Sequence, residues 1–266
     1  MDRENYRPMS AFLSIITINY NNHKGLRNTV RSVLSQTYSD YEYLVIDGAS
    51  TDGSRDYLQS VNQQAVKWIS EPDSGIYNAM NKGIKKSTGR YLLFLNSGDQ
   101  LNGKEALHNF IGHPGFGGDI IYGDYKFEDG EKRFPDTLYP AYFVKTSLPH
   151  QSTLFKRSVF DEMGFYDESY RMGADRVFFI KCYLSERYRF QHIPVFLTVF
   201  DLSGLSNDPK ERALKRQEDE RMLKEFYGKD YEKYKAELLK ELEANKIPKY
   251  SLKGILKRIK KRLKDL

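Results

Sequence analysis

Three features predict an α/β fold, with a mostly parallel sheet and helices on both of its faces. Short strand-like runs recur along the first half, at Leu13 to Asn19, which is rich in β-branched residues, Tyr43 to Asp47, Val66 to Ile69 and Tyr91 to Leu95, the last continuously apolar as a strand buried on both faces requires. Segments with helical spacing separate these runs, which implies βαβ crossovers rather than hairpins. Three of the runs give way at once to small polar or acidic residues, the chemistry expected in the crevice beyond the carboxyl ends of parallel strands.

Taken in order, Leu26, Val30, Val33 and Leu34 mark one face of the first helix. The second helix, Gly53 to Val61, follows Asp52, a residue suited to N-capping, and the third runs from Ile76 to Lys86. After Asp119 the rhythm changes. Ile120 to Phe127, Arg133 to Phe134 and Gln191 to Phe200 read as strands, some antiparallel, interrupted by helices around Arg157 to Met163 and Ala174 to Glu186. This second half is expected to form a small antiparallel part that closes over the first. No segment resembles a flexible linker, so residues 1–205 read as one domain. A charged helical extension over 206–250 and a basic amphipathic tail over 251–266 follow it.

At 266 residues and 39% hydrophobic content the chain buries a substantial core. No window of about 18 uncharged apolar residues exists, and the start Asp2, Arg3, Glu4 is unlike a signal peptide, so a cytoplasmic protein is expected. The single cysteine, Cys182, lies inside a helical pattern and reads as a small core residue. His23, His108, His113, His150 and His192 lack zinc-site spacing, which leaves oxygen ligands for any metal. The net charge of +6 resides wholly in residues 251–266, where seven Lys or Arg stand against Asp265. The remainder is neutral in sum and lacks the electrostatic footprint of a nucleic-acid binder. Within the tail, Leu252, Ile255, Leu256, Ile259 and Leu263 form one stripe ringed by cations. It reads as an interfacial helix drawn to an anionic membrane surface, or alternatively as a helix docked on the domain.

Thr17, Asn19 and Tyr20 place a hydroxyl, an amide and an aromatic ring at the end of the first strand, a set able to grip a nucleobase. Asp47, opening DGASTDGS, is suited to accept a hydrogen bond from a base N–H; an Asx-rich turn before a helix is the alternative. Asn96, Ser97 and Gly98 are small enough to admit a phosphate and a hard cation, and Asp99 supplies the oxygen such a cation takes. Here the alternative is an N-cap for a helix over Lys104 to Phe110. Asp124, in IIYGDY, reads as a further strand-end residue with a turn role.

The segments LSIITINYNN, EYLVIDGASTDGS, SEPDSGIYNAMNKGI and GRYLLFLNSGD occur in the order and spacing of family 2 glycosyltransferases of the GT-A fold. The chain resembles that family well over roughly its first 125 residues and more loosely as far as Ser206. The resemblance implies that Thr17, Asn19, Tyr20 and Asp47 line the nucleotide site and that Asp73 and Asn81 flank the donor. It further implies that Asp99, with Asn96, Ser97 and Gly98 beside it, binds a divalent metal, Mn²⁺ or Mg²⁺, that bridges the diphosphate. His150 and Gln151 resemble a segment that approaches the donor or acceptor and are assigned to acceptor binding, with a structural role the alternative for His150; Asp175, in MGADR, resembles the family's catalytic aspartate, with a capping role the alternative.

The implied activity is inverting, metal-dependent transfer of a sugar from a nucleoside diphosphate donor, UDP-linked, to a glycan or lipid-linked glycan, as in capsular or exopolysaccharide assembly. Two departures stand out: Gly48 follows Asp47 where many members have a second acid, and NSGD replaces a more acidic metal motif. A sugar-nucleotide nucleotidyltransferase is one rival, but Asn21 to Gly25 offers no glycine-rich basic phosphate loop. A catalytically inactive glycan- or nucleotide-binding module is the other, and retention of Asp99 and Asp175 argues against it.

Overall fold

The structure, a computed structural model, describes residues 11–61, 64–202, 204 and 211–244. Its first half is built from β1 (Leu13–Asn19), α1 (His23–Leu34), β2 (Tyr41–Asp47), α2 (Ser54–Ser60), β3 (Lys67–Ser70), α3 (Ile76–Lys86) and β4 (Tyr91–Asn96). These strands lie in the order β3-β2-β1-β4 and every pairing among them is parallel. Successive side chains of β1 serve opposite faces. Leu13 and Ile15 pack in one core with Leu26, Val30 and Val33 of α1, whereas Ile16 and Ile18 pack in another with Met80 and Ile84 of α3. With helices on both faces, every position of the strand is buried, which is why it shows no alternation between apolar and charged residues.

The second half adds β5 (Gln100–Leu101), α4 (Ala106–Ile111), β6 (Ile120–Phe127), β7 (Gly130–Lys132), α5 (Tyr142–Lys145), β8 (Thr153–Lys156), α6 (Arg157–Met163), α7 (Ala174–Leu184) and β9 (Phe190–Val199). The sheet continues from β4 through β8, β6 and β9 to β5, with β7 paired to β6. Here β8 runs antiparallel to both β4 and β6, and β5 runs antiparallel to β9, so the antiparallel part extends the same sheet. Phe155, Phe160, Phe178 and Phe179 bury together between this part and α6 and α7, and the rings of Phe160 and Phe178 stack at 4.5 Å.

Several local expectations change. Leu34 is exposed, so the buried stripe of α1 ends at Val33. The N-cap of α2 is Gly53, whose φ of 90° suits glycine; Asp52 instead accepts from the backbone and hydroxyl of Ser54 and organises the turn. The strand expected at Arg133 to Phe134 ends at Lys132, and the Phe134 N–H turns inward to Asp124. Asp124 lies within β6 rather than at its end, buried against His192. Cys182 is buried, and burial pushes its thiol up to about 12, as befits a core residue.

Two charged helices follow, α8 (Arg212–Tyr227) and α9 (Asp230–Ala244). Met222, Leu223, Tyr227 and Tyr231 enter the same core as α7, and Arg176 pairs with Asp219 at 2.7 Å. Among the described residues the extension therefore shares the domain's core. The boundary drawn at 205 and the whole basic tail, 251–266, lie outside the described residues. No helix among the described residues is long and apolar enough to cross a membrane.

Candidate active site

Strand order reverses on either side of β1, and the crevice opens beyond the carboxyl ends of β1 and β4. Two adjoining cavities fill it. One, ≈ 680 Å³, is lined by Asn19, Tyr20, Asp73, Asn96, Ser97 and Glu168 among others. The other, ≈ 440 Å³, is lined by Asn96, Ser97, Asp99, His150, Gln151, Asp175 and Asp201 among others. Tyr77 and Arg171 border both.

At the ends of β1 and β2 the expected residues divide into two layers. Asp47 is fully buried and accepts from Asn19 Nδ2 (2.7 Å), Ser50 Oγ (2.6 Å), Ser50 N (3.0 Å) and Ser70 Oγ (2.6 Å). Four donors fill its acceptor sites, so in this arrangement it holds the crevice floor and lines neither cavity. Thr17 is also fully buried; its hydroxyl pairs with Tyr43 Oη at 2.9 Å, on the face away from α3. The resemblance implies that both line the nucleotide site; in this arrangement neither lines either cavity. Asn19 is the residue presented there. Its amide nitrogen faces two acceptors, Asp47 and Ser50, which fixes the flip and leaves Oδ1 without a hydrogen-bond partner among the described residues. Tyr20 stands beside it, 68% exposed, as an aromatic platform.

Gly48 has a structural reason. A Cβ there would meet Asp73 Oδ2 at 2.5 Å and the Tyr20 ring at 3.2 Å, so glycine lets the Asp73 carboxylate close over that point. Asn81 does not reach either cavity. Its side chain donates to Tyr166 O and Glu168 Oε1 and accepts from Tyr166 N, which ties α3 to the 166–168 segment.

Beyond β4, Asp99 is 2% exposed and accepts from the backbone N–H groups of Asn96 and Asp201. It caps no helix, since α4 begins at Ala106 with Glu105 as its N-cap. Burial pushes its carboxyl up to about 7, against backbone hydrogen bonds that lower it, and the nearby Asp201 raises it further. Asn96 Oδ1 and Ser97 Oγ are buried without a hydrogen-bond partner among the described residues. An under-satisfied carboxylate among orphaned oxygens fits a hard divalent cation such as Mg²⁺ or Mn²⁺. No cluster of three His, Cys, Asp or Glu suited to a metal occurs among the described residues. Gly98 has φ +117°, and a Cβ there would lie 2.1 Å from Asp201 Oδ2.

On the facing wall, Asp175 sits in the first turn of α7, whose N-cap is Gly173 with no side-chain cap bond, so capping is not its role. Tyr77 Oη donates to Asp175 Oδ1 at 2.9 Å. Burial, with Asp175 beside it, holds the Tyr77 phenol well above its ordinary range and hence protonated. His150 stacks on Phe94 and bonds Tyr166 Oη through Nε2 at 2.8 Å; burial lowers its pKa and favours the neutral ring. Gln151 is buried against the same cavity. The structure thus brings Asn96, Ser97, Asp99, His150, Gln151 and Asp175 around one space, with Asn19, Tyr20 and Asp73 in the adjoining one.

Three residues of this site escaped the sequence reading: Tyr77, Glu168 and Asp201. Glu168 accepts from Ser74, Asn78 and Asn81, and those amides hold its carboxyl below the usual range. Its only sequence signal is Asn78 and Asn81, spaced three apart on one face of α3.

The sequence profile described as Glycosyl transferase family 2 matches residues 14–179. An uncharacterized glycosyltransferase of Mycobacterium tuberculosis is 34% identical over 183 residues, which is 65% of this chain and 69% of that one. A PGL/p-HBAD biosynthesis glycosyltransferase of Mycobacterium bovis is 30% identical over 188 residues, 66% of this chain and 72% of that one. Among solved structures, S. aureus TarS 1-349 in complex with UDP superposes with a TM-score of 0.59 at 20% identity. That match covers 71% of this chain and 60% of TarS 1-349, so the chain spans less than two thirds of that structure. The mannosyltransferase of Pyrobaculum calidifontis in complex with GDP-Man and Mn²⁺ gives 0.54 at 18% identity, over 73% of this chain and 57% of that one. These structures share the GT-A fold seen here. With a family match over more than half its length, the chain belongs to glycosyl transferase family 2.

Proposed function

We propose that the chain is an inverting, metal-dependent glycosyltransferase that moves a sugar from a UDP-linked donor to a hydroxyl of a glycan or lipid-linked glycan. One observation carries the reading: Asp99, at the end of β4, and Asp175, in the first turn of α7, line the same cavity. The adjoining cavity, with Asn19 and Tyr20, has the size and chemistry for a nucleoside. The TarS structures with UDP and with UDP-GlcNAc support a nucleotide-sugar donor, and the mannosyltransferase with Mn²⁺ supports a divalent cation.

In this reading the Tyr20 ring packs on the base and the orphaned Asn19 Oδ1 accepts a base N–H. Asp73 and Glu168 face the ribose and donor sugar. Asp99, Asn96 and Ser97 would hold Mn²⁺ or Mg²⁺, which supplies positive charge to the diphosphate as it departs. Asp175 takes the proton of the acceptor hydroxyl while that oxygen attacks the anomeric carbon from the face opposite the diphosphate. The new C–O bond forms as the bond to the diphosphate oxygen breaks, and the electron pair leaves with the nucleoside diphosphate. Tyr77 orients the base carboxylate and keeps its second oxygen toward the cavity. His150 and Gln151 line the acceptor side. A cytoplasmic location, with access to the inner membrane face, belongs to the same proposal.

Asp175→Asn tests it: sugar transfer is expected to fall by about 10²–10⁴-fold while UDP binding in Mn²⁺ persists. Turnover at the wild-type rate would remove Asp175 from the base role.

A further inference from the structure

Resting on the metal-dependent reading above, we propose that Asp201 is the second carboxylate of the cation site, supplied from just beyond the end of β9 in place of an acid in the NSGD loop. Topology puts it there. Strands β5 and β9 pair antiparallel, with Gln100 opposite Val199 and Leu101 opposite Thr198. The same register continued by two residues sets Asp201 opposite Gly98. The contact is closer than that register alone requires: a Cβ on Gly98 would lie 2.1 Å from Asp201 Oδ2 and 2.9 Å from its Cγ. The Asp201 carboxylate thus occupies the space where a side chain at 98 would begin, and the positive φ of +117° favours glycine at that point.

Asp201 is also fastened to the site by its backbone, whose N–H donates to Asp99 Oδ1 at 3.1 Å. That bond holds the two residues side by side at the wall of one cavity, which both of them line. Asn96 Oδ1 and Ser97 Oγ, both buried and without hydrogen-bond partners among the described residues, lie in the same wall. The set is all oxygen, with two carboxylates and two neutral donors. Mg²⁺ and Mn²⁺ suit such a set, taking one or two carboxylates from protein and the rest from phosphate and water. Asp201 lies outside the matched stretch 14–179, so the second acid comes from a part of the chain the family profile does not reach. Glycine at 98 and aspartate at 201 form one substitution in space: the acid absent from the loop arrives from the segment that follows β9.

Mn²⁺ binding to the full chain, followed by the electron paramagnetic resonance of free Mn²⁺ with and without UDP, tests this directly. Asp201→Asn is expected to weaken Mn²⁺ binding by at least about tenfold, and Asp99→Asn to abolish it. Asp201→Glu, which keeps the charge, is expected to retain most of the affinity. Wild-type Mn²⁺ affinity in Asp201→Asn would overturn the assignment, as would equal loss in the Asn and Glu variants, which would mark Asp201 as a structural residue. A wild-type chain that binds no Mn²⁺ even with UDP would overturn the metal-dependent reading itself, a result distinguishable from failure at Asp201 alone.

Discussion

Asp47 and Asp99 look alike in the sequence and do opposite work in the structure. Both are buried acids at or just beyond the carboxyl end of a parallel strand, in the same half of one sheet. Asp47 accepts from four side-chain and backbone donors, which exhausts it. Asp99 accepts from two backbone N–H groups, stands near a second acid and has orphaned oxygens around it. A saturated carboxylate organises the protein; an unsaturated one is available to a ligand. Burial and position are shared, so the number of donors is what separates the roles.

The largest effect that breaks this comparison is expected at Asp47. Asp47→Asn turns an NH₂ group toward at least one donor that now points at a carboxylate oxygen, and the Ser50 N–H has no freedom to turn away. A loss of about 2–4 kcal/mol in unfolding free energy is expected, measured by urea denaturation. Unchanged stability would show that Asp47 is not the floor of the site.

Asp99→Asn is expected to act in the opposite direction in the metal-free protein. The Asp99 carboxyl is raised from its ordinary 3.8 to about 7 in the folded chain. Below about pH 4 the group is protonated whether folded or not and contributes nothing. Between about 4 and 7 only the folded chain holds the proton, so this group makes stability fall as pH rises through that window, and the full penalty is present above it. At pH 8 without metal, Asp99→Asn should therefore gain about 1–2 kcal/mol, less than the full linkage term because its NH₂ opposes a backbone donor. The wild-type slope between pH 5 and pH 7 should flatten in the variant. With Mn²⁺ and UDP the order reverses, since only the wild-type chain is stabilised by ligand. A variant less stable than wild type in metal-free buffer at pH 8 would place Asp99 with Asp47.

The same contrast explains what was legible in the sequence. Strand β1, helix α3, strand β6 and helix α6 were readable to the residue, because each is marked by its local composition or spacing between clear turn signals. Strands β5 and β8, two and four residues long, carry too few positions to show a period. The site residues divide similarly. Asp99 and Asp175 were found because a motif marks them, and Asn19 and Tyr20 because they end a strand. The donor count at Asp47 was only partly visible: Ser50 is a local turn partner, whereas Asn19 and Ser70 reach it only after β2 pairs with β1 and β3. Asp201 was invisible for a related reason: its place opposite Gly98 follows from the β5–β9 register, and a local window does not contain it. Gly48 and Gly98 looked like missing acids. In space, each is the room taken by a carboxylate from elsewhere, Asp73 in one case and Asp201 in the other.

Thr17 gives the smallest and most selective test of where the floor of the crevice ends and its lining begins. It is two residues deeper than the strand end, its hydroxyl meets only Tyr43 Oη among the described residues, and Tyr43 is itself buried. Thr17→Val keeps the branched shape and removes the hydroxyl, so the variant loses one hydrogen bond and strands a phenol in the core. The expected cost is about 1 kcal/mol in urea denaturation, with UDP affinity by calorimetry unchanged. Tyr43→Phe combined with Thr17→Val should cost less than the two single changes added together, because once one partner is gone the other's removal relieves an unsatisfied group. If Thr17→Val instead weakened UDP binding while leaving stability intact, the hydroxyl would belong to the nucleotide site. The layer of residues that touches donor would then extend below Asn19, to a depth where every other side chain of β1 is already committed to the core.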